Sequence, residues 1–150
     1  MISETKITVR YAETDKMGIV HHSVYPIWYE MARTEAIKKI GMTYSALERN
    51  GIMTPLAELN CKYMIPAEYE DELIIKVDIS KLTPARIVFE YQVFKVGNED
   101  KPINTGSTVH AWVGKDLRPI NLKKEYPEIF EKVKKLVERE EKKKEDVEDE

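Results

Sequence analysis

Asp15 stands a few residues ahead of a segment with a helical pattern, and His21 and His22 lie between the two. A helix start offers backbone N–H groups without intrahelical partners and the positive end of the helix dipole. That array suits an anion or an oxyanion that develops during a reaction. A carboxylate facing it can attack a carbonyl carbon or activate a water. Thioesters suit so modest an apparatus, because an ordinary thiol has a pKa near ~8.5 and leaves with little protonation. Glu13, two residues earlier, is a reserve carboxylate.

The elements that must position these groups follow from periodicity. Ile7 to Tyr11 alternates apolar with polar residues, as a half-buried strand does. Gly18 marks a turn. From Pro26 to Ile40 the period becomes helical, with Trp28, Ala32, Ala36 and Ile40 joined by Met31 and Ile37. Ser23 fits an N-cap, Pro26 the first turn and Gly41 a C-terminal cap. A shorter helix follows over 43–50. Four strand patterns come next, centred on Ala57–Tyr63, Leu73–Ile79, Ile87–Val93 and Val109–Val113, with a turn at 97–102. Ile129, Val133, Leu136 and Val137 mark a last amphipathic helix. Four sequential strands on short connections imply an antiparallel sheet, with the long early helix packed across it: an α+β domain. Residues 1–137 are expected to form that single domain, and 138–150 a charged helix end that frays into a tail.

The frame around Asp15 is more specific than any one of its residues. Tyr11, Thr14, Asp15, Gly18, Ile19, Val20, His21 and His22, then Trp28, Glu30 and Arg33, resemble the signature of hotdog-fold thioesterases of the 4-hydroxybenzoyl-CoA thioesterase class, in particular its bacterial acyl-CoA branch. Tyr63, Pro66, Ala67 and Asp71 resemble that class's third segment. The resemblance implies a hotdog fold, a five-stranded antiparallel sheet wrapped around one long central helix with a C-terminal helix added. It implies hydrolysis of acyl-CoA with Asp15 and His22 as catalytic residues, Asp15 being nucleophile or general base. The backbone N–H groups of Gly18 and His22 would serve the oxyanion. Tyr25, Trp28, Leu59 and Met64 would line the acyl pocket, and Lys81 and Arg86 would meet the CoA phosphates, Lys62 and Arg118 being weaker candidates. Homodimers, or tetramers as dimers of dimers, would place the pocket between subunits. No cofactor is expected beyond the coenzyme A of the substrate. His21 departs from the Tyr that many relatives carry there.

Each residue also has a plainer reading. Asp15 alone would be a turn cap; the frame reverses that. A metal site from Asp15, His21 and His22 is disfavoured, since adjacent histidines rarely present both rings to one ion, and His110 is remote in sequence. Cys61 reads as packing in a strand. Glu30 and Arg33, as an exposed pair, would contribute only ~0.2–0.5 kcal/mol; on a buried helix they would rather tie it to a loop or partner subunit.

Composition narrows the field further. The chain has 150 residues, enough for one core, and a net charge of −3 gives no general attraction to nucleic acid or an anionic membrane. Its single cysteine and the absence of an apolar leader or of a run of roughly 20 apolar residues lead to the expectation of a cytoplasmic protein. A single glutamine beside abundant Lys and Glu is a thermophile-like bias. The competing functions are hydrolysis of acyl-carrier-protein thioesters and non-catalytic acyl-CoA binding. Hydratase chemistry needs a His/acid arrangement on the helix that this chain lacks.

Overall fold

The computed structural model describes residues 1–148. Five strands form one sheet: β1 (Ser3–Thr8), β2 (Leu56–Tyr63), β3 (Glu72–Leu82), β4 (Arg86–Lys95) and β5 (Asn104–Ala111). Their order across the sheet is β1-β3-β4-β5-β2, and every neighbouring pair is antiparallel. β1 therefore closes one edge and β2 the other.

The long helix α1 (Val24–Lys38) buries Tyr25, Trp28, Tyr29, Ala32, Ala36 and Ile37. These lie one face deep at three- and four-residue spacing, and they meet Leu73, Ile75 and Val77 of β3 and Phe89, Tyr91 and Val93 of β4 in one core. Met31, expected on that face, is exposed. The stripe turns towards Tyr29 instead, because Tyr29 stacks on Tyr91 of β4 with ring centroids 4.3 Å apart. Ser23 stands at the N-cap position but makes no side-chain cap bond; its hydroxyl meets His21 Nδ1 at 2.7 Å. Gly41, at φ 80°, follows the helix as expected. A short helix α2 (Tyr44–Arg49) is capped by the Thr43 side chain, which accepts from Ala46 N–H.

Three expectations are corrected. The first strand ends at Thr8, and Tyr11 lies in a 3-10 turn, Tyr11–Glu13, because the side chain of Glu13 accepts the Arg10 N–H and bends the chain. The last strand starts at Asn104 rather than Val109. After a single turn of helix, α3 (Leu122–Glu125), the helix α4 (Pro127–Glu148) continues well past Val137. Its continuation is anchored: Glu140 is buried, and Lys144 pairs with Asp78 of β3 at 3.5 Å. Of the expected 138–150 tail, residues 138–148 are helical, and 149–150 lie outside the described residues.

A polar chain crosses the core. Arg33 donates to the hydroxyls of Tyr44 and Tyr91, each at 3.1 Å, so it ties α1 to α2 and β4. Tyr91 meets Thr108, and Thr108 meets His110 Nε2. His110 Nδ1 lies 3.0 Å from the Thr54 carbonyl, so Nδ1 carries the proton and Nε2 accepts from Thr108. His110 is thereby a satisfied neutral core histidine.

Candidate active site

Between β1 and α1 the chain makes a small hairpin. Thr14 bridges Val20, and Asp15 N–H donates to Ile19 O at 2.8 Å. Gly18, at φ 81°, allows the tight turn. Its N–H donates to Asp15 O at 3.0 Å, so that donor belongs to the turn. Asp15 Oδ1 accepts the Met17 N–H at 2.8 Å, an Asx turn that orients the carboxylate. The hairpin rests on the 67–68 segment, with Val20 N–H on Ala67 O and Ile19 bridged to Glu68.

From Val20 the chain turns into α1. His21 N–H donates to Glu13 O at 2.9 Å, and the His21 and His22 rings lie tilted by 33° with centroids 4.1 Å apart. Ser23 N–H donates to His21 Nδ1 at 3.2 Å, which makes Nδ1 an acceptor and puts a neutral ring's proton on Nε2. His22 projects into solvent, and its carbonyl accepts the Tyr63 hydroxyl at 2.8 Å. Its own N–H makes no hydrogen bond among the described residues.

Asp15 and His22 line the same cleft, of about 280 Å³, with Met17, Ile19, Val20 and Tyr25 and the Tyr63–Pro66 segment. Of the predicted acyl-pocket residues, Tyr25 and Met64 are there. Trp28 is not: it is 1% exposed, beneath the cleft, with its indole N–H on Glu13 Oε2 at 2.8 Å. Leu59 lies along the exposed edge strand β2 and does not reach the cleft within one chain. Tyr63 packs edge-on against Tyr25 at 5.4 Å and is the wall that sequence reasoning did not assign. Its place at the end of a strand ahead of Pro66 was the available signal.

Lys81 and Arg86 sit on the β3–β4 hairpin, in pairs with Val88 and Ala111. The Asp15 hairpin follows β1, whose end at Thr8 pairs with Glu72 at the start of β3. The two lysine and arginine candidates are therefore at the far end of the sheet from Asp15. Lys62 and Arg118 are also absent from the cleft lining. Cys61 is held by the Tyr29 hydroxyl and the Asn104 amide, each at 3.4 Å, as packing predicts.

The five-stranded antiparallel sheet with its long helix is matched among known proteins. The family model for the thioesterase superfamily matches residues 17–101. The chain belongs to the thioesterase superfamily. This thioesterase is an enzyme, a thioester hydrolase. It is 35% identical over 138 residues to YneP of Bacillus subtilis (strain 168), named as a candidate acyl-CoA thioesterase; the match covers 89% of this chain and 99% of YneP. It is 29% identical to the chloroplastic acyl-acyl carrier protein thioesterase ATL3 of Arabidopsis thaliana, over 79% of this chain and 62% of that one. The solved structure of a DHNA-CoA thioesterase from Staphylococcus aureus superposes with a TM-score of 0.83 at 36% identity, covering 89% of each chain. The thioesterase thus has the hotdog arrangement that its sequence resembles. No helix among the described residues is long and apolar enough to cross a membrane.

Proposed function

We propose that this thioesterase hydrolyses acyl-CoA, with the Asp15 carboxylate as the reacting group and the His22 backbone N–H as an oxyanion donor. The observation that carries the reading is that Asp15 and His22 line one apolar cleft at the N-terminus of α1. The acyl group fits the wall formed by Tyr25, Tyr63, Met64 and Ile65, and the thioester carbonyl then points to the helix start, where a developing negative charge is favoured.

As general base, Asp15 takes a proton from water while the oxygen attacks the carbonyl carbon; the C–S bond then breaks and the proton passes to the leaving thiolate. As nucleophile, it forms a mixed anhydride with loss of thiolate, and water cleaves the anhydride in a second step. Gly18 shapes the turn that aims the carboxylate, while His22 supplies the donor. Both names among the relatives and the apolar cleft support the CoA ester as substrate. The carrier-protein reading is favoured by one finding, the likeness to ATL3.

The assembly is read from β2. It is an edge strand, exposed on both faces, and carries Leu56, Leu59 and Tyr63 half in solvent. Pairing with β2 of a second copy, antiparallel about a two-fold axis, gives a ten-stranded sheet. Tyr63 then faces the start of the neighbouring β2, two strands from that copy's Arg86. Lys81 and Arg86 of a second copy thereby approach the cleft that they cannot reach within their own chain, and Leu59 becomes part of the interface.

The test is thiol release from a panel of acyl-CoA and acyl-carrier-protein esters, by wild type and by Asp15→Asn. Release from CoA esters that the substitution abolishes, with the fold intact, supports the reading. Release only from carrier-protein esters moves it to the second substrate class. Release unaffected by the substitution removes Asp15 from the chemistry.

A further inference from the structure

The carboxylate two residues before Asp15 is better buried than Asp15 itself. Glu13 is 7% exposed, and both of its side-chain oxygens are engaged. Oε1 accepts the Arg10 backbone N–H at 2.8 Å, and the Arg10 guanidinium stands 3.3 Å from it. Oε2 accepts the indole N–H of Trp28 at 2.8 Å. The main-chain carbonyl of Glu13 accepts the His21 N–H at 2.9 Å. One residue therefore holds the chain before the Asp15 hairpin, the chain after it, and the second turn of α1.

Packing alone does not call for an ion here. An apolar or amide side chain fills such a space without the cost of burying a charge, and a buried carboxylate is tolerated only when its oxygens are satisfied. Burial pushes the Glu13 carboxyl up, but the Arg10 N–H, the indole and the guanidinium together hold it below the usual carboxylate range. Hydrogen bonds to an ionised acceptor are shorter and stronger than neutral ones, so the geometry they set is stiff.

We infer that Glu13 is a positioning residue of the hydrolytic site: through Trp28 and His21 it sets where the Asp15 hairpin sits relative to the N-terminus of α1. The inference rests on the reading of Asp15 and the His22 N–H as the reacting groups. Neither Glu13 nor Trp28 touches the cleft, so both act only through the placement of their neighbours. Small displacements of reacting groups lower the rate of the chemical step more than they weaken substrate binding.

The experiment is steady-state thiol release from an acyl-CoA that the wild type hydrolyses, for Trp28→Phe, Glu13→Ala, Glu13→Gln and the Trp28→Phe/Glu13→Ala double variant, with urea unfolding of each. Trp28→Phe removes the indole donor and keeps an aromatic ring in the core, with urea unfolding reading the cost of the smaller ring; Glu13→Gln keeps an acceptor for the indole. The expected result is a fall in kcat of about tenfold for Trp28→Phe and Glu13→Ala with KM little changed. The double variant should be no slower than Glu13→Ala, and Glu13→Gln should recover part of the rate. Should Glu13→Ala fail to fold, Trp28→Phe against Glu13→Gln carries the comparison. A folded Trp28→Phe with wild-type kcat, or effects that appear in KM alone, overturns the inference while leaving the hydrolase reading intact. A wild type that releases no thiol from any ester overturns that reading and the inference with it.

Discussion

Tyr29 of α1 lies directly over Gly106 of β5. A Cβ at Gly106 would come within 2.5 Å of the Tyr29 ring and hydroxyl and 2.6 Å of the Asn60 carbonyl. The bare backbone of β5 is what lets α1 approach the sheet, stack Tyr29 on Tyr91 and hydrogen-bond Tyr29 to Asn104. Gly106→Ala is expected to destabilise the fold by about 1–3 kcal/mol, since neither the ring nor the backbone carbonyl can yield cheaply. Urea unfolding measures it, and an unchanged midpoint would show that the helix can shift at no cost.

Stability should fall in mild acid because of His110. Burial is the main cause, and with the Arg33 charge it lowers the His110 pKa to about 4 from an ordinary 6.5, against a smaller opposing effect of the Thr54 carbonyl. The unfolded chain therefore takes up a proton at pH values where the folded chain does not. Stability is full above pH 6.5 and is lost as pH falls towards 4. The loss from this one group is about 3 kcal/mol at most. Unfolding free energies across that range, for wild type and His110→Gln, check it; equal slopes for the two would assign the acid sensitivity elsewhere.

Tyr63→Phe removes the hydrogen bond to the His22 carbonyl and keeps the aromatic wall. A typical net contribution of about 0.5–1.5 kcal/mol for such a bond predicts a loss in kcat/KM of roughly two- to tenfold, without loss of fold. Wild-type kinetics in this variant would show that the turn at His22 is held by α1 alone.

The exposed β2 edge predicts association. Leu59→Lys places a charge on the row that would pair, and light scattering should report a smaller particle than the wild type at the same concentration. Hydrolysis should weaken in parallel, because the second copy's Lys81 and Arg86 are then missing. A wild type that is monomeric at all concentrations would exclude the shared-cleft arrangement.

The local pattern of this chain was enough to place the long helix and the centres of its strands, though not all of their ends. Alternation in Leu73–Ile79 and Ile87–Val93, the three- and four-residue spacing from Trp28 to Ile37, and the glycines at 18, 41 and 51 each follow from short-range sterics and amphipathicity. The frame around Asp15 likewise carried the family, because its residue types and spacing lie within one continuous stretch. Other features depended on contacts between distant residues. Trp28 reads as a pocket aromatic until its indole is seen on Glu13. Met31 reads as core until Tyr29 takes the face towards Tyr91. The charged stretch after Val137 reads as a fraying end until Asp78 and a buried Glu140 hold it helical. Lys81 and Arg86 read as neighbours of the cleft, yet the antiparallel course of β3 carries them to the opposite end of the sheet. Sequence spacing sets which way a side chain faces on its own element; which partner it meets is decided only when the elements pack, because that choice depends on register, shape and charge across the whole core.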